Sequence, residues 1–391
     1  MIGTRPVLLR AAPRSVFGVV VALALALGAS CAPASSSAGA APAAPAAGSG
    51  PAASAPAAAA PAAQAPTRAA EPTAAAPLSP PVDVKMSIFG AITDAGVFIA
   101  MDRGYFQAEG LNIETVPSDS SLQTTPFLAS GQLDVAGISQ SPALFNAALR
   151  GVPYRLVGDK GRITPGHGFA AVVIRPDLIE SGRVRDYADL RGLRLNSPGK
   201  GTASWGLMER ALEAGGLTAA DVDFEALPQP DVLPALSNHA IDGALLLEPL
   251  VSAAVARGVA VRWHGADEYA VGAQNGMIAY SPQFAAQRDP ANRFMLAYLK
   301  GMRDYIDAFS SGVGQDEIID ILINHTSVKD RAVYATMKPA GFEPNGRVNV
   351  DYLISEQELY LREGMMTEAV DIPSLVDNSY ADYAVERLGR R

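Results

Sequence analysis

The sequence predicts an α/β protein made of two similar lobes, and three observations carry that prediction. From Val82 onward, short apolar runs alternate with stretches of helical periodicity that close on glycines. The stretch Gly131–Ala136 is echoed by Ala240–Leu245, each placing an Asp (Asp134, Asp242) after an aliphatic residue where a buried strand begins. The part of the chain with globular composition, residues 82–391, is too long for one compact core.

The N-terminal segments come first in the chain and are not part of either lobe. Arg5, Arg10 and Arg14 form a basic start with no acidic residue before Cys31. Val16–Leu27 is apolar except for Gly18; it is shorter than the roughly 20 residues a membrane span needs and suits the hydrophobic region of an export signal. Leu27-Gly28-Ala29-Ser30-Cys31 resembles the bacterial lipoprotein signal, which implies lipidation of Cys31 and cleavage before it. It departs from that pattern at Gly28, where a branched aliphatic residue is usual, so plain secretion remains the alternative. Removing residues 1–30 takes the net charge from −9 to −12. Residues 32–81 hold 44 Ala, Pro, Ser or Gly in fifty positions. Frequent prolines stop an alanine helix from propagating, so a disordered tether is expected.

Within the folded part, Val84–Phe89 reads as a strand, followed by a helix capped at Thr93 or Asp94. Its Val97, Met101 and Tyr105 share one face, and Gly110 ends it. Strand Leu111–Val116, helix Leu122–Ser130, strand Leu133–Ile138 and a helix opened by Pro142 follow. Further strands are expected near Phe169–Ile174, Leu193–Asn196, Val222–Ala226, Ile241–Leu246 and Ala260–Trp263. Beyond Ser281 the chain reads as mainly helical, near 290–310, 314–325, 349–363 and 373–388.

Composition removes several classes of function. An acidic chain without a Lys/Arg-rich run does not suit nucleic acid. One cysteine excludes a disulfide framework, an iron–sulfur cluster or a thiolate zinc site. His167, His239, His264 and His325 are scattered without metal-ligand spacing, and no nucleophile elbow, phosphate loop or zinc-protease motif is present. No cofactor and no catalytic residue are expected, so the chain reads as a non-enzyme.

Four motifs in order carry a resemblance. They are Ala95-x-x-Phe98-x-Ala100-x-x-x-Gly104-Tyr105-Phe106-x-x-Glu109-Gly110-Leu111, then Gly131–Ala136. Next is Asp189-Leu190-Arg191-Gly192-Leu193-Arg194 leading into Ser197–Thr202, and last Ile241-Asp242-Gly243-Ala244 with Glu248-Pro249. Together they resemble the solute-binding proteins of ABC importers, in the group that binds nitrate, sulfonates, taurine and thiamine-pyrimidine precursors. The resemblance spans roughly residues 84–300. It implies a type 2 periplasmic-binding fold, with two lobes joined by two crossing strands and ligand in the cleft. Lobe one would be 82–173 with 276–391, lobe two 174–275, and the crossings Phe169–Arg175 and Gly276–Ser281. It also implies a monomer working outside the cytoplasm beside ABC permease subunits, held to the membrane through lipid on Cys31. The related pyrimidine-synthesising enzymes depend on a cysteine-rich motif that this chain lacks. A ligand-sensing module or a degenerate enzyme of that kind remains the alternative from another class.

Ligands of open α/β sheets sit outside the carboxyl ends of the strands, which nominates the residues just after each strand. These are Thr93 and Asp94 after the first, with Phe89 at its end, and Ser139, Gln140 and Ser141 after the third. On the second lobe they are Gly199, Lys200, Gly201, Thr202, Ser204 and Trp205, with Glu248 ending a buried strand. Helix capping competes for Thr93, Asp94 and the serines, and core packing competes for Trp205. Lys200 with the Ser197–Ser204 loop suits a sulfonate- or nitrate-type anion. Asp94 and Glu248 would repel an anion, and Phe89 and Trp205 offer ring faces. A neutral or weakly basic heterocycle, such as a thiamine-type pyrimidine or a flavin-like vitamin, is therefore the favoured expectation.

Overall fold

The computed structural model describes residues 76–391 apart from Asp119, Ser120 and Pro198. The expected signal, Cys31 and the tether as far as residue 75 lie outside the described residues. Two five-stranded mixed sheets organise the fold. The first runs in the order β2-β1-β3-β10-β4, from β1 (Val82–Ile88), β2 (Leu111–Pro117), β3 (Val135–Ile138), β4 (Arg155–Asp159) and β10 (Met277–Tyr280). The second runs β7-β6-β8-β5-β9, from β5 (Ala170–Ile174), β6 (Arg194–Asn196), β7 (Asp223–Glu225), β8 (Gly243–Leu247) and β9 (Val261–Gly265). In each sheet four strands point the same way, and the fourth in order runs against both of its neighbours.

The sequence echo has a physical cause. Asp134 and Asp242 stand just before the central strands β3 and β8. Asp134 donates its backbone N–H to the Lys85 carbonyl (3.0 Å), and its carboxylate accepts the Lys85 N–H (2.9 Å). Asp242 makes the same two bonds with Arg194, at 2.8 and 2.9 Å. Each Asp thus pins the start of a central strand to the neighbouring parallel strand, which fixes register where the chain enters the sheet.

Helices α1 (Ala95–Asp102), α2 (Tyr105–Ala108), α3 (Ser121–Ser130) and α4 (Pro142–Leu149) connect the first sheet's strands. The helix expected to reach Gly110 is broken at Gly104, whose left-handed φ of 69° separates α1 from α2. The second sheet carries α5 (Pro176–Glu180), α6 (Ala203–Ala214), α7 (Gln229–Ser237) and α8 (Leu250–Ala256). After β10 come α9 (Pro282–Ala286), α10 (Arg288–Ser311), α11 (Gln315–His325), α12 (Arg331–Thr336), α13 (Val350–Arg362), α14 (Ile372–Leu375) and α15 (Ser379–Leu388). Long α10 lays Phe294, Tyr298, Met302 and Tyr305 against α1 and the first sheet. On that sheet's other face α4 and α13 close a second cluster, with Phe145 6.0 Å from Tyr360 between ring centroids.

Two segments expected to cross between lobes are instead sheet strands: Phe169–Arg175 contains β5, and Gly276–Ser281 contains β10. Their unbroken apolar side chains are fully buried, as strands covered on both faces require. The chain passes between the sheets in the more polar stretches on either side, 160–169 and 266–276. These pair with each other through Lys160 N–H to Gly276 O (2.9 Å) and Ile163 N–H to Ala273 O (2.8 Å). The expected tether also ends earlier than Pro81. Leu78 donates to the Glu109 carbonyl, and Arg293 donates to the Ala76 carbonyl at 2.8 Å.

Candidate functional site

Phe89, Thr93 and Asp94, nominated after the first strand, are gathered by one buried cation that the sequence did not nominate. After β1 the chain turns at Gly90, and the Asp94 carboxylate accepts the N–H groups of Phe89 (3.0 Å) and Ala91 (3.1 Å). Lys160 leaves the end of β4 and brings its ammonium 2.7 Å from Asp94 Oδ1, with both side chains fully buried. It also donates to Thr93 Oγ1 (3.3 Å) and lies 5.0 Å from the centre of the Phe89 ring. Its stem runs over Gly137 of β3, where any Cβ would sit 2.7 Å from Lys160 Cε. A glycine in the middle of a buried strand is explained by that close approach. Asp94 is therefore not the uncompensated carboxylate expected from the sequence.

Ser139 and Gln140, at the end of β3, bind the returning crossing segment. Ser139 Oγ donates to the Asn275 carbonyl (2.8 Å) and Gln140 Nε2 to the Gln274 carbonyl (2.6 Å). A carbonyl partner fixes which way the Gln140 amide points, so its Oε1 is an acceptor; it is buried and has no hydrogen-bond partner among the described residues. Ser141 caps α4, accepting the Leu144 N–H at 3.2 Å, with Pro142 at the first helical position.

On the second lobe, Gly199 (φ 116°) and Gly201 (φ 84°) let the loop after β6 turn tightly. Thr202 then caps α6, accepting the Trp205 N–H (3.1 Å) and donating to the Gly199 carbonyl (2.9 Å). A Cβ at Gly201 would lie 2.9 Å from Pro142 Cδ and 3.2 Å from Met365 Sδ. The glycine loop thus touches the α4 start, with Gly201 against Pro142, the residue that follows Ser139, Gln140 and Ser141. At the end of β6, Asn196 donates to the Glu225 carbonyl (2.8 Å). That leaves Asn196 Oδ1, and beside it Ser197 Oγ, buried without a hydrogen-bond partner among the described residues.

Four nominated residues are engaged elsewhere. Trp205 is buried inside the first lobe's cluster with Phe145, Leu353 and Tyr360, so its ring is packed rather than presented. Lys200 reaches Glu363 at 3.3 Å and leans over the Trp205 ring, while Ser204 is buried on the first turn of α6. The Glu248 carboxylate accepts the N–H groups of Ser252 (2.9 Å) and Lys338 (3.2 Å), with Arg262 at 3.5 Å. Burial raises its pKa while those N–H groups hold it down. Both charges behind the expected repulsion of anions are thus compensated by the protein itself.

Among the described residues no group of three or more His, Cys, Asp or Glu is placed to hold a metal, and no helix is long and apolar enough to cross a membrane. Two surface hollows lie away from the cleft, one of about 160 Å³ between α3 and α4 and one of about 90 Å³ beside Tyr305 and Phe342. They are lined mainly by apolar atoms and offer no convergent polar groups, so the strand-end cleft is the stronger candidate.

Solved structures share this architecture at low identity. The alkanesulfonate-binding protein SsuA from Xanthomonas axonopodis pv. citri, bound to MOPS, matches at 18% identity and a TM-score of 0.58, over 79% of this chain and 99% of that one. The periplasmic nitrate-binding protein NrtA from Synechocystis PCC 6803 matches at 12% and 0.63, over 79% and 89%. The desulfurization enzyme DSZB, as a cysteine-to-serine mutant in complex with biphenyl-2-sulfinic acid, matches at 14% and 0.55, over 78% and 99%. Such identities establish the fold, the two-lobed type 2 periplasmic-binding arrangement. A search of curated proteins finds no match to the chain. The profile of one family, described as NMT1/THI5 like, covers residues 92–308, which is more than half of the sequence. The chain belongs to the NMT1/THI5 like family.

Proposed function

We propose that the chain is an extracytoplasmic solute-binding protein that delivers a small organic solute to the permease subunits of an ABC importer. The observation that carries this reading is the meeting of the α4 start and the glycine loop across two sheets whose crossings pair side by side. Two strand-end loops that face each other about a short hinge are a device for enclosing a ligand. In this reading Phe89, Thr93, Ser139, Gln140, Ser141, Gly199, Gly201 and Thr202 line the ligand, and Lys160 with Asp94 braces the floor. The protein works as a monomer, anchored through lipid on Cys31. In this reading it is a binding protein and not an enzyme.

The ligand is a neutral or weakly basic heterocycle, such as a thiamine-type pyrimidine or a flavin-like vitamin. Support comes from the fixed amide oxygens of Gln140 and Asn196, which need donors that a bare oxyanion does not have. The second reading is a sulfonate or nitrate, favoured by the capped start of α4 and by the names of the similar binding proteins. Calorimetry of the Cys31→Ser chain against a thiamine-type pyrimidine, riboflavin, taurine, an alkanesulfonate and nitrate separates the two. Heat from a heterocycle is expected, and Gln140→Met should weaken it about tenfold through the lost acceptor. Tight binding of an anion with no response to any heterocycle would reject the ligand class. Cys31→Ser should also release the protein from membranes; retained attachment would remove the lipid anchor from the reading.

A further inference from the structure

Helix α6 is buried on two sides. Leu207, Met208, Ala211 and Leu212 face the second sheet, packing with Leu195 and Leu245. The opposite side, at positions 205, 206, 209, 210 and 213, meets α13, which is packed on the first sheet. A Cβ at Gly206 would lie 2.6 Å from Glu356 Oε2, so the two helices are in contact there. Arg210 donates to Glu356 (2.9 Å) and to Ser355 Oγ (3.1 Å), Arg362 to Glu213 (2.6 Å), and Lys200 to Glu363 (3.3 Å). Glu356 is fully buried and also accepts the Tyr352 and Tyr360 hydroxyls. Glu209 sits within this contact, only 2% exposed, and its Oε1 has no hydrogen-bond partner among the described residues.

We propose that the α6–α13 contact is a proton-dependent latch between the lobes, with Glu209 as its sensor. A neutral Glu209 lets α6 seat on α13, and an ionised one drives it off. The charges around it come from every element of the contact. Glu213 and Arg210 lie on its own helix, Glu356, Arg362 and Glu363 on or just past α13, and Lys200 on the glycine loop. Burial raises the Glu209 carboxyl to about 7, with Glu363 and Glu213 adding to the rise and Lys200 and Arg362 opposing it. In the separated state the carboxyl meets water and returns toward its ordinary 4.5. Seating the latch therefore takes up a proton between those two values. The contact is strongest below about 4.5, weakens as pH rises to about 7, and changes no further above that.

The inference rests on two lobes that can separate, not on which ligand binds, so it is tested with no ligand present. Nitroxide labels at Phe127→Cys on α3 and Val255→Cys on α8, both exposed, report the inter-lobe distance in the full chain carrying Cys31→Ser. The ratio of close to separated lobes should fall roughly seventyfold between pH 5 and pH 8. Glu209→Gln, which cannot ionise, should keep the lobes close at both pH values, and Glu209→Leu is a second neutral variant with the same expectation. Distance distributions that are identical at the two pH values, or a pH dependence that survives in both variants, would overturn the latch while leaving the solute-binding reading intact.

Discussion

Two of the places where the lobes meet are built differently. At the hinge the contact is backbone: 160–163 and 273–276 exchange amide hydrogen bonds around a fully buried ion pair, Lys160–Asp94. At the α6–α13 contact side chains make the hydrogen bonds, and their ion pairs grade from the buried Glu356 to the exposed Arg362–Glu213. A backbone ladder can twist and stay bonded, whereas side-chain pairs must part when helices separate. In the proposed lobe motion, the first contact would serve as the axis and the second as the seam that opens.

Substitutions should divide along the same line, and the largest effect belongs to the hinge. Lys160→Met leaves Asp94 charged, buried and unpaired, and should lower stability to urea by about 3–5 kcal/mol. Asp94→Asn in the same chain should recover much of the loss, because an amide oxygen still accepts the Phe89 and Ala91 N–H groups. An additive double variant would show that the pair does not hold the hinge. Next is Trp205→Ala, which empties a large buried volume on the seam at a cost of about 3 kcal/mol. It should open the lobes in a scattering profile before either unfolds, and loss of all structure in one step would merge the two regions. Arg210→Met strands Glu356 with two tyrosine hydroxyls and should cost about 1–3 kcal/mol in the same measurement. Smallest is Arg362→Ala at the exposed rim, at about 0–1 kcal/mol and falling further with salt; a larger effect would mean that the rim is not solvated.

Much of the fold was legible because it is written in local signals. Glycines end most of the early helices, Pro142 and Ser141 begin α4, and Asp134 and Asp242 mark the two central strands. The short strand β4 left little trace, since Leu156 and Val157 are its only fully apolar residues between Arg155 and Gly158. Losing β4 also hid Lys160, whose role depends on tertiary placement: it meets Asp94, 66 positions earlier, only across the sheet. The strand-end loops were found because topology puts them there. What their side chains touch was not legible. Trp205 and Lys200 turned to α13 and its end, and Glu248 turned to the amides of Ser252 and Lys338, because residues far along the chain supply those partners.

The two crossings leave and re-enter the first sheet at one point. Asp159, the last residue of β4, pairs directly with Met277, the first of β10. Everything from 160 to 276 is therefore an insertion between two neighbouring strands, and a tight turn across that gap would convert β4 and β10 into an ordinary hairpin. The insertion holds all of β5–β9 in one continuous stretch. As the chain emerges from its N-terminus, the sheet that starts second is completed first, at residue 265, while the sheet begun at Val82 still lacks the strand between β3 and β4.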